Sequence, residues 1–89
     1  MLCDTVLVKT ISYTRTAVRA LRKHRNAAPR IMAKVEAYAA DPGSLANMVT
    51  EMVGKDCMRL RVGDFRVLFR ETTIEVVVLD IGPRGSIYD

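Results

Sequence analysis

The sequence Met58-Arg-Leu-Arg-Val-Gly-Asp-Phe-Arg-Val-Leu-Phe69 alternates apolar and mostly basic side chains on either side of a Gly-Asp pair. A period of two is typical of a β-strand that buries one face, and a Gly-Asp pair between two such runs favours a tight turn. The stretch therefore predicts an antiparallel hairpin with one apolar face and one basic face.

The segment after this hairpin is strongly apolar. Glu71-Thr72-Thr73 predicts a turn, and a run rich in Ile, Val and Leu then extends from Ile74 to Ile81. Such a run is typical of a central strand that is covered on both sides. Gly82-Pro83-Arg84-Gly85 interrupts the run. Together with the hairpin, this strand predicts a three-stranded antiparallel meander.

Two helices are predicted before the meander. Ser12 or Thr14 can cap the first helix, which we expect to end near His24 because apolar residues recur at helical spacing up to that point. Asn26 is a good cap for the second helix. The second helix is expected to stop at Asp41-Pro42-Gly43, because proline cannot continue helical hydrogen bonding. The pair therefore forms a helical hairpin.

A short strand is predicted at the start of the chain, because Thr5 to Ile11 is rich in β-branched residues. The segment from Ser44 to Lys55 suits either a short helical turn or an irregular link. The fold class is thus α+β and two-layered: an N-terminal strand, a helical hairpin and a C-terminal three-stranded antiparallel meander, in the order β-α-α-β-β-β. Residues 1–89 are expected to form a single domain.

The amino-acid composition indicates a folded, moderately basic domain. The chain has 89 residues, 49% of them hydrophobic, and a net charge of +4 from 14 Lys and Arg against 10 Asp and Glu. This mixture is that of a folded domain, and the basic balance is compatible with a polyanionic partner. No apolar stretch approaches the roughly 18 residues of a membrane span, and no signal pattern opens the chain. We therefore expect a soluble, cytoplasmic protein with no membrane partner.

The chain supplies few residues for metal, redox or triad chemistry. Cys3 and Cys57 lie far apart, with His24 as the one other soft ligand, so neither a metal site nor a disulfide is expected. His24 lies between two basic residues at a helix end, where it is more often a capping side chain than a catalyst. There is no Ser-His-Asp set and no inward-facing carboxylate pair. No cofactor is expected.

The basic face of the hairpin is the candidate site. If the apolar residues of the hairpin face the helices, the alternate residues Cys57, Arg59, Arg61, Arg66 and Arg70 must face away. They form either an ordinary solvated face or an anion site, for which the planar guanidinium fork of arginine is well suited. Lys55 extends this patch. Arg84 follows the last strand, and Tyr88 can stack on a base or simply fill an apolar gap.

The hairpin, followed by Glu75-Val-Val-Val-Leu-Asp-Ile-Gly-Pro-Arg-Gly-Ser-Ile-Tyr88, closely resembles the RelE/ParE superfamily of bacterial toxin-antitoxin toxins. The resemblance covers nearly the whole chain, and its specificity lies in the second half. In the RelE-like branch it implies a toxin that enters the ribosomal A site and cleaves messenger RNA there. The cleavage that this resemblance implies is independent of metal and uses attack by a 2′-hydroxyl.

The resemblance also implies roles for individual residues. Arg59 and Arg66 would contact phosphate, Arg84 would stabilise the transition state or protonate the leaving group, and Tyr88 would stack on a base or transfer a proton. Further RNA contacts are expected from a second set of basic residues: Lys55, Arg61, Arg15, Arg19 and Arg22. The last three, on the first helix, form a solvated face equally well. At Cys57 this chain departs from well-studied RelE-like members, which carry a lysine on the same face, and Arg59 stands where some members have a lysine.

The expected partners follow from the same resemblance. They are a cognate antitoxin, the ribosome with its messenger RNA, and a higher-order toxin-antitoxin complex. Two other functions remain open. One is a ParE-like inhibitor of DNA gyrase without nuclease activity, and the other is a non-catalytic interaction module with the toxin fold.

Overall fold

The computed structural model describes residues 9–51 and 57–83 of the chain. Its elements, in chain order, are β1 (Thr10–Tyr13), α1 (Arg15–Lys23), α2 (Ala28–Ala40), 3₁₀ turns (Pro42–Met48), β2 (Val49–Glu51), β3 (Met58–Val62), β4 (Phe65–Glu71) and β5 (Glu75–Pro83). Neither of the two α-helices in these ranges has the length and apolar content needed to cross a bilayer.

The five strands form one mixed sheet in the order β1-β5-β4-β3-β2, in which β1 runs parallel to β5 and the other neighbours are antiparallel. This confirms the predicted α+β architecture and the C-terminal meander. The sheet has one strand more than predicted, because the segment left open as a helical turn or a link contains both 3₁₀ turns and β2. Three residues are too few to show a period of two, so the sequence did not indicate β2.

The helices pack on one face of the sheet, so the domain has two layers. A single core joins α1 through Ala17 with the inner faces of α2 and the sheet. Its other buried residues include Ile31, Val35, Tyr38, Leu60, Val62, Val67, Phe69, Val76, Val78 and Ile81.

β5 lies inside the sheet, but β4 is the middle strand. On β5, Val76 and Val78 are buried whereas Val77 and Leu79 are partly exposed, so the predicted cover on both sides of this strand is complete only on the side of the helices.

The start of α1 is held by a threonine. The prediction named Ser12 or Thr14, and Thr14 is the cap, because its Oγ1 accepts a hydrogen bond from Ala17 N at 3.2 Å. The same hydroxyl donates to Leu79 O at 2.7 Å, where β5 is bulged against β4. Ser12 instead belongs to β1, which runs beyond its predicted end at Ile11. The predicted start at Thr5 lies outside the described residues.

The start of α2 differs from the prediction. Ala27, not Asn26, is the capping residue, and it makes no side-chain capping bond. The carbonyl of His24 accepts hydrogen bonds from the N–H groups of both Ala27 and Ala28, at 3.0 Å each. The turn itself therefore satisfies two of the N–H groups at the helix start, and Pro29, the second helical residue, has no N–H to satisfy. The helix ends before Pro42, as predicted.

A polar cluster ties β1, α2 and β4 together. Tyr38 Oη donates to Glu71 Oε1 at 2.6 Å, and Lys9 Nζ donates to Glu71 Oε2 at 2.7 Å. Burial alone would raise the pKa of Glu71, but the hydrogen bonds from Lys9 and Tyr38 and the charge of Lys9 lower it overall. Burial and the bond to Glu71 raise the pKa of Tyr38. Glu71 is therefore an ionised acceptor at neutral pH.

Tyr13 offers a contrast to Tyr38. Its hydroxyl is buried and makes no hydrogen bond with any described residue. Burial, followed by the charge of Glu36, raises its pKa. The hydroxyl of Tyr38 therefore contributes to stability, whereas that of Tyr13 bears a desolvation cost without compensation.

Substitution of each tyrosine by phenylalanine tests this contrast. Tyr38→Phe should lower the free energy of unfolding by about 1.5 kcal/mol, because it removes a hydrogen bond to an ionised carboxylate. Tyr13→Phe should leave it unchanged or raise it slightly. Urea unfolding of the two variants measures both values. Equal losses in the two variants would contradict the assignment.

Candidate functional site

Four arginines lie on the sheet face opposite the helices, which we call the arginine face: Arg59 and Arg61 on β3, and Arg66 and Arg70 on β4. Their orientation follows from the pleat. Leu60 and Val62 are buried against the helical layer, so the alternate residues of β3 must point the other way. The predicted sidedness of the hairpin is thereby confirmed.

The strand register brings two of these charges together. Arg61 lies directly opposite Arg66 across the β3–β4 pair. Residues opposed in an antiparallel pair have Cα atoms about 5 Å apart, and like charges in this position destabilise a sheet. On the other side of Arg66 the register places Gly82, which has no side chain. The guanidinium groups therefore have room on this face.

Three of the arginines line one small pocket. Arg59, Arg61 and Arg66 share a cavity of about 140 Å³ whose remaining wall is formed by Asn47, Met48 and Thr50. Binding pockets for whole small molecules usually measure roughly 300–1,000 Å³. The size and charge of this pocket suit a single phosphate group.

Part of this pocket was missed by sequence reasoning. Thr50 lies opposite Arg59 in the β2–β3 register, and Asn47 and Met48 end the 3₁₀ turns. All three belong to the segment whose structure was left open. Their place beside the arginines depends on the pairing of a strand of three residues, for which the sequence holds no signal.

Arg66 is anchored by the turn of its own hairpin. Its Nη1 donates to Phe65 O at 3.1 Å and to Gly63 O at 3.4 Å. A guanidinium has five N–H donors, and both of these bonds use one nitrogen. The turn therefore fixes the position of the group at the edge of the pocket.

The arginine face is not uniformly polar. Leu68 alternates with Arg66 and Arg70 and is nevertheless only 4% exposed, although it lies outside the core cluster. The register places it between Arg59 on β3 and Asp80 on β5. Arginine stems commonly cover neighbouring apolar surface. Leu68 thus separates the arginine pocket from Asp80, whose Oδ1 accepts from Ile81 N at 2.8 Å.

Three predicted site residues, Lys55, Arg84 and Tyr88, lie outside the described residues. Their roles stay predictions. The last described residues of β5, Gly82 and Pro83, pair with Arg66 and Phe65. Cys57 is half-buried and carries a free thiol.

The arginines of the first helix form a separate surface. Arg15, Arg19 and Arg22 are exposed on α1, in the helical layer. Together with Tyr13 and Val18 they line a groove of about 450 Å³. Because α1 packs on the face of the sheet opposite the arginine face, these three residues do not share a pocket with Arg59.

Removal of one opposed arginine should stabilise the fold. Arg61→Thr should raise the free energy of unfolding by about 0.5 kcal/mol at low salt, because it relieves the repulsion from Arg66. The gain should shrink in high salt, which screens exposed charges. Arg70→Thr is the matched control, since Arg70 shares the same face but lies opposite Val77. An equal gain in both variants, measured by urea unfolding, would show that strand propensity and not repulsion is responsible.

Comparison with known proteins adds to this geometry. Residues 11–88 match the family model described as the ParE toxin of type II toxin-antitoxin system, parDE. No curated protein sequence matches the chain.

Similar folds occur in solved toxin-antitoxin complexes. One is the archaeal RelE-RelB complex from Pyrococcus horikoshii OT3, with a TM-score of 0.70, 21% identity and cover of 89% of this chain and 98% of that chain. The RelBE2 complex from Mycobacterium tuberculosis has a TM-score of 0.59 and 28% identity, covering 85% and 98%. The DinJ-YafQ complex from E. coli has a TM-score of 0.61 and 13% identity, covering 92% and 99%.

Proposed function

The chain belongs to the ParE toxin family of type II toxin-antitoxin systems, and we propose that it acts as a ribosome-dependent endoribonuclease that cleaves messenger RNA in the A site. The observation that carries this proposal is the pocket shared by Arg59, Arg61 and Arg66. Three guanidinium groups around a cavity the size of one phosphate group suit a polyanionic backbone better than a neutral substrate.

The nucleophile of the proposed reaction is a hydroxyl group of the RNA itself, so the protein does not supply one. The 2′-oxygen of one nucleotide attacks the adjacent phosphorus, a new O2′–P bond forms and the P–O5′ bond breaks. The products are a 2′,3′-cyclic phosphate and a 5′-hydroxyl end. The proton of the 2′-hydroxyl is released to a base, and the departing 5′-oxygen takes up a proton. Alignment of the attacking and leaving oxygens removes much of the barrier.

The arginine face supplies electrostatic stabilisation. Arg59 and Arg66 hold the non-bridging oxygens, on which charge accumulates in the transition state. Arg66 enters this role already positioned by its bonds to the turn. Arg61 adds charge on the same pocket. Arg84, for the transition state and the leaving group, and Tyr88, for base stacking or proton transfer, complete the proposed site on the strength of the resemblance alone.

The residues of this site are poorly suited to proton transfer. A guanidinium group holds its proton tightly, so arginine is a poor general acid near neutral pH. Cys57 stands where RelE-like members have a lysine, which leaves one basic group fewer. The mechanism therefore depends on orientation, and the ribosome would supply that orientation by holding the message. Cleavage of free RNA should accordingly be weak.

A cognate antitoxin is the proposed inhibitor. The fold relatives RelE and YafQ are found in complexes with RelB and DinJ. By analogy, an antitoxin of this chain would neutralise the arginine face with acidic side chains and exclude RNA from it. Because its proposed target is translated messenger RNA, the proposed location is the cytoplasm, and the higher-order toxin-antitoxin complex stays a prediction.

A second candidate function is inhibition of DNA gyrase without RNA cleavage. One observation favours it: the matching family model is that of ParE toxins. In that case the arginine face would contact a protein or DNA surface, and no phosphodiester bond of RNA would be broken.

A translation system that also contains supercoiled DNA and gyrase distinguishes the two functions. We expect message ends in ribosomal A sites, and a loss of roughly 100-fold in cleavage rate for Arg66→Ala, because an oxyanion donor of this kind typically contributes that much. Arg66→Lys should recover only part of the rate, since it keeps the charge without the fork. Lys34→Ala, on α2, is the control and should cleave normally.

Three results would overturn this proposal. Loss of supercoiling with intact messages would support gyrase inhibition instead. Normal cleavage by Arg66→Ala would separate the arginine face from the reaction. Absence of both effects would leave an interaction module. Urea unfolding of each variant checks that folding is retained.

A further inference from the structure

A second basic pocket lies at the tip of the β3–β4 hairpin, on the helical side of the sheet. We call it the hairpin-tip pocket. It measures about 480 Å³, and the residues that give it its chemistry are Lys23, His24, Arg25, Arg30 and Phe65. None of these five residues was among the candidate site residues predicted from the sequence. Its volume is that of a site for a nucleotide-sized ligand.

The wall of this pocket is well defined. The α1–α2 turn is closed by the two hydrogen bonds that His24 O accepts from Ala27 N and Ala28 N. The imidazole of His24 meets the ring of Phe65 edge-on, with centroids 5.0 Å apart and an interplanar angle of 70°. Phe65 begins β4 and is only partly buried. A part-exposed aromatic ring is therefore held next to basic side chains.

Gly63 joins this pocket to the arginine face. Its φ of +58° is left-handed, as the tight turn requires. On one side of the turn, Arg66 Nη1 donates to Gly63 O at 3.4 Å. On the other side, Arg30 Nη2 lies 3.7 Å from the point that a Cβ on Gly63 would occupy. Guanidinium groups from the two basic surfaces thus meet at one residue.

The cations of the hairpin-tip pocket are not paired with acids of residues 9–51 and 57–83. Within the described ranges, Lys23, Arg25 and Arg30 form no ion pair. Asp80 lines the adjoining groove beside Lys23 without reaching ion-pair distance. Three cations around one cavity repel one another, and a bound anion would relieve that repulsion.

We propose that the hairpin-tip pocket binds a nucleotide of the same RNA strand that the arginine face holds, so that the strand passes around the hairpin tip. This inference rests on the proposed function and extends it to a second RNA contact. Arg25 and Arg30 bind phosphate, and a base lies against Phe65. An acidic peptide would use the cations but not the aromatic wall, which favours RNA as the ligand.

Salt-dependent binding of a ten-nucleotide 2′-O-methyl RNA tests this proposal, because that RNA lacks the attacking hydroxyl and cannot be cleaved. Each phosphate contact to a single strand contributes a slope of about 0.7 in a plot of log K against log salt. Arg25→Ala should therefore lower the slope by about 0.7 and weaken binding about fivefold at moderate salt. Lys34→Ala removes the same charge outside the pocket and should change neither value.

Further measurements separate the alternatives. Arg30→Ala should resemble Arg25→Ala, and thermal unfolding of both variants checks that the fold is retained. A hexaglutamate peptide should bind more weakly than the RNA, because it can use the cations of the pocket but not its aromatic wall. The proposal is wrong if the wild type does not bind the RNA, if Arg25→Ala keeps the wild-type slope, or if Arg25→Ala weakens the peptide and not the RNA.

These results are independent of cleavage. If Arg25→Ala lowers the slope while no message is cut in A sites, the proposed nuclease fails and the second RNA contact stands. If messages are cut and the slope is unchanged, the nuclease stands and the second contact fails.

Discussion

The pleat of the β3–β4 hairpin is the constraint on which the rest depends. Burial of Leu60, Val62, Val67 and Phe69 against the helices fixes which face of the hairpin is inward. Each such side chain contributes about 1.5–3 kcal/mol when fully buried. The opposed pair Arg61–Arg66 costs well under about 1 kcal/mol. The burial of these apolar side chains therefore outweighs the repulsion between the two arginines. The register that buries them also places Arg61 opposite Arg66.

This arrangement puts the buried core residues and the candidate site on different faces of one hairpin. A slip of one residue would turn the arginines into the core and the leucine and valines outward, so the register is strongly specified. The turn at Gly63 adds precision at the tip, because it positions Arg66 through its carbonyl and lies against Arg30. The polar cluster of Lys9, Tyr38 and Glu71 holds β1 and α2 at the distant end of β4. The candidate site thus lies at the end of the hairpin away from this cluster.

Sequence reasoning succeeded where a long pattern determined the structure. The alternation in Met58–Phe69 predicted both the hairpin and its arginine face, and helical spacing predicted α1 and α2. Sequence reasoning failed where the local structure depends on only a few residues. β2 is three residues long, and the choice of Ala27 over Asn26 as cap depends on hydrogen bonds within the turn. Leu68 obeys the alternation, but its burial depends on neighbours from other strands.

The same holds for the candidate site: residues that share one face of an element could be predicted, whereas contacts between distant elements could not. Arg59, Arg61 and Arg66 were found because they share a strand parity, and the structure places them around one pocket. Arg15, Arg19 and Arg22 share a helix face, yet they belong to the other layer. The hairpin-tip pocket joins α1, α2 and β4, which are distant in the chain. A single sequence contains no local pattern that brings such residues together.

The central claim is that Arg59 and Arg66 act on the same phosphate. A double-mutant cycle on the rate of A-site cleavage, with Arg59→Lys, Arg66→Lys and the double variant, tests it most directly. If both groups hold one phosphate, the double variant should lose about tenfold less than the product of the two single losses, a coupling on the order of 1 kcal/mol. Losses that multiply independently, or a wild type that yields no cleavage, would contradict the account.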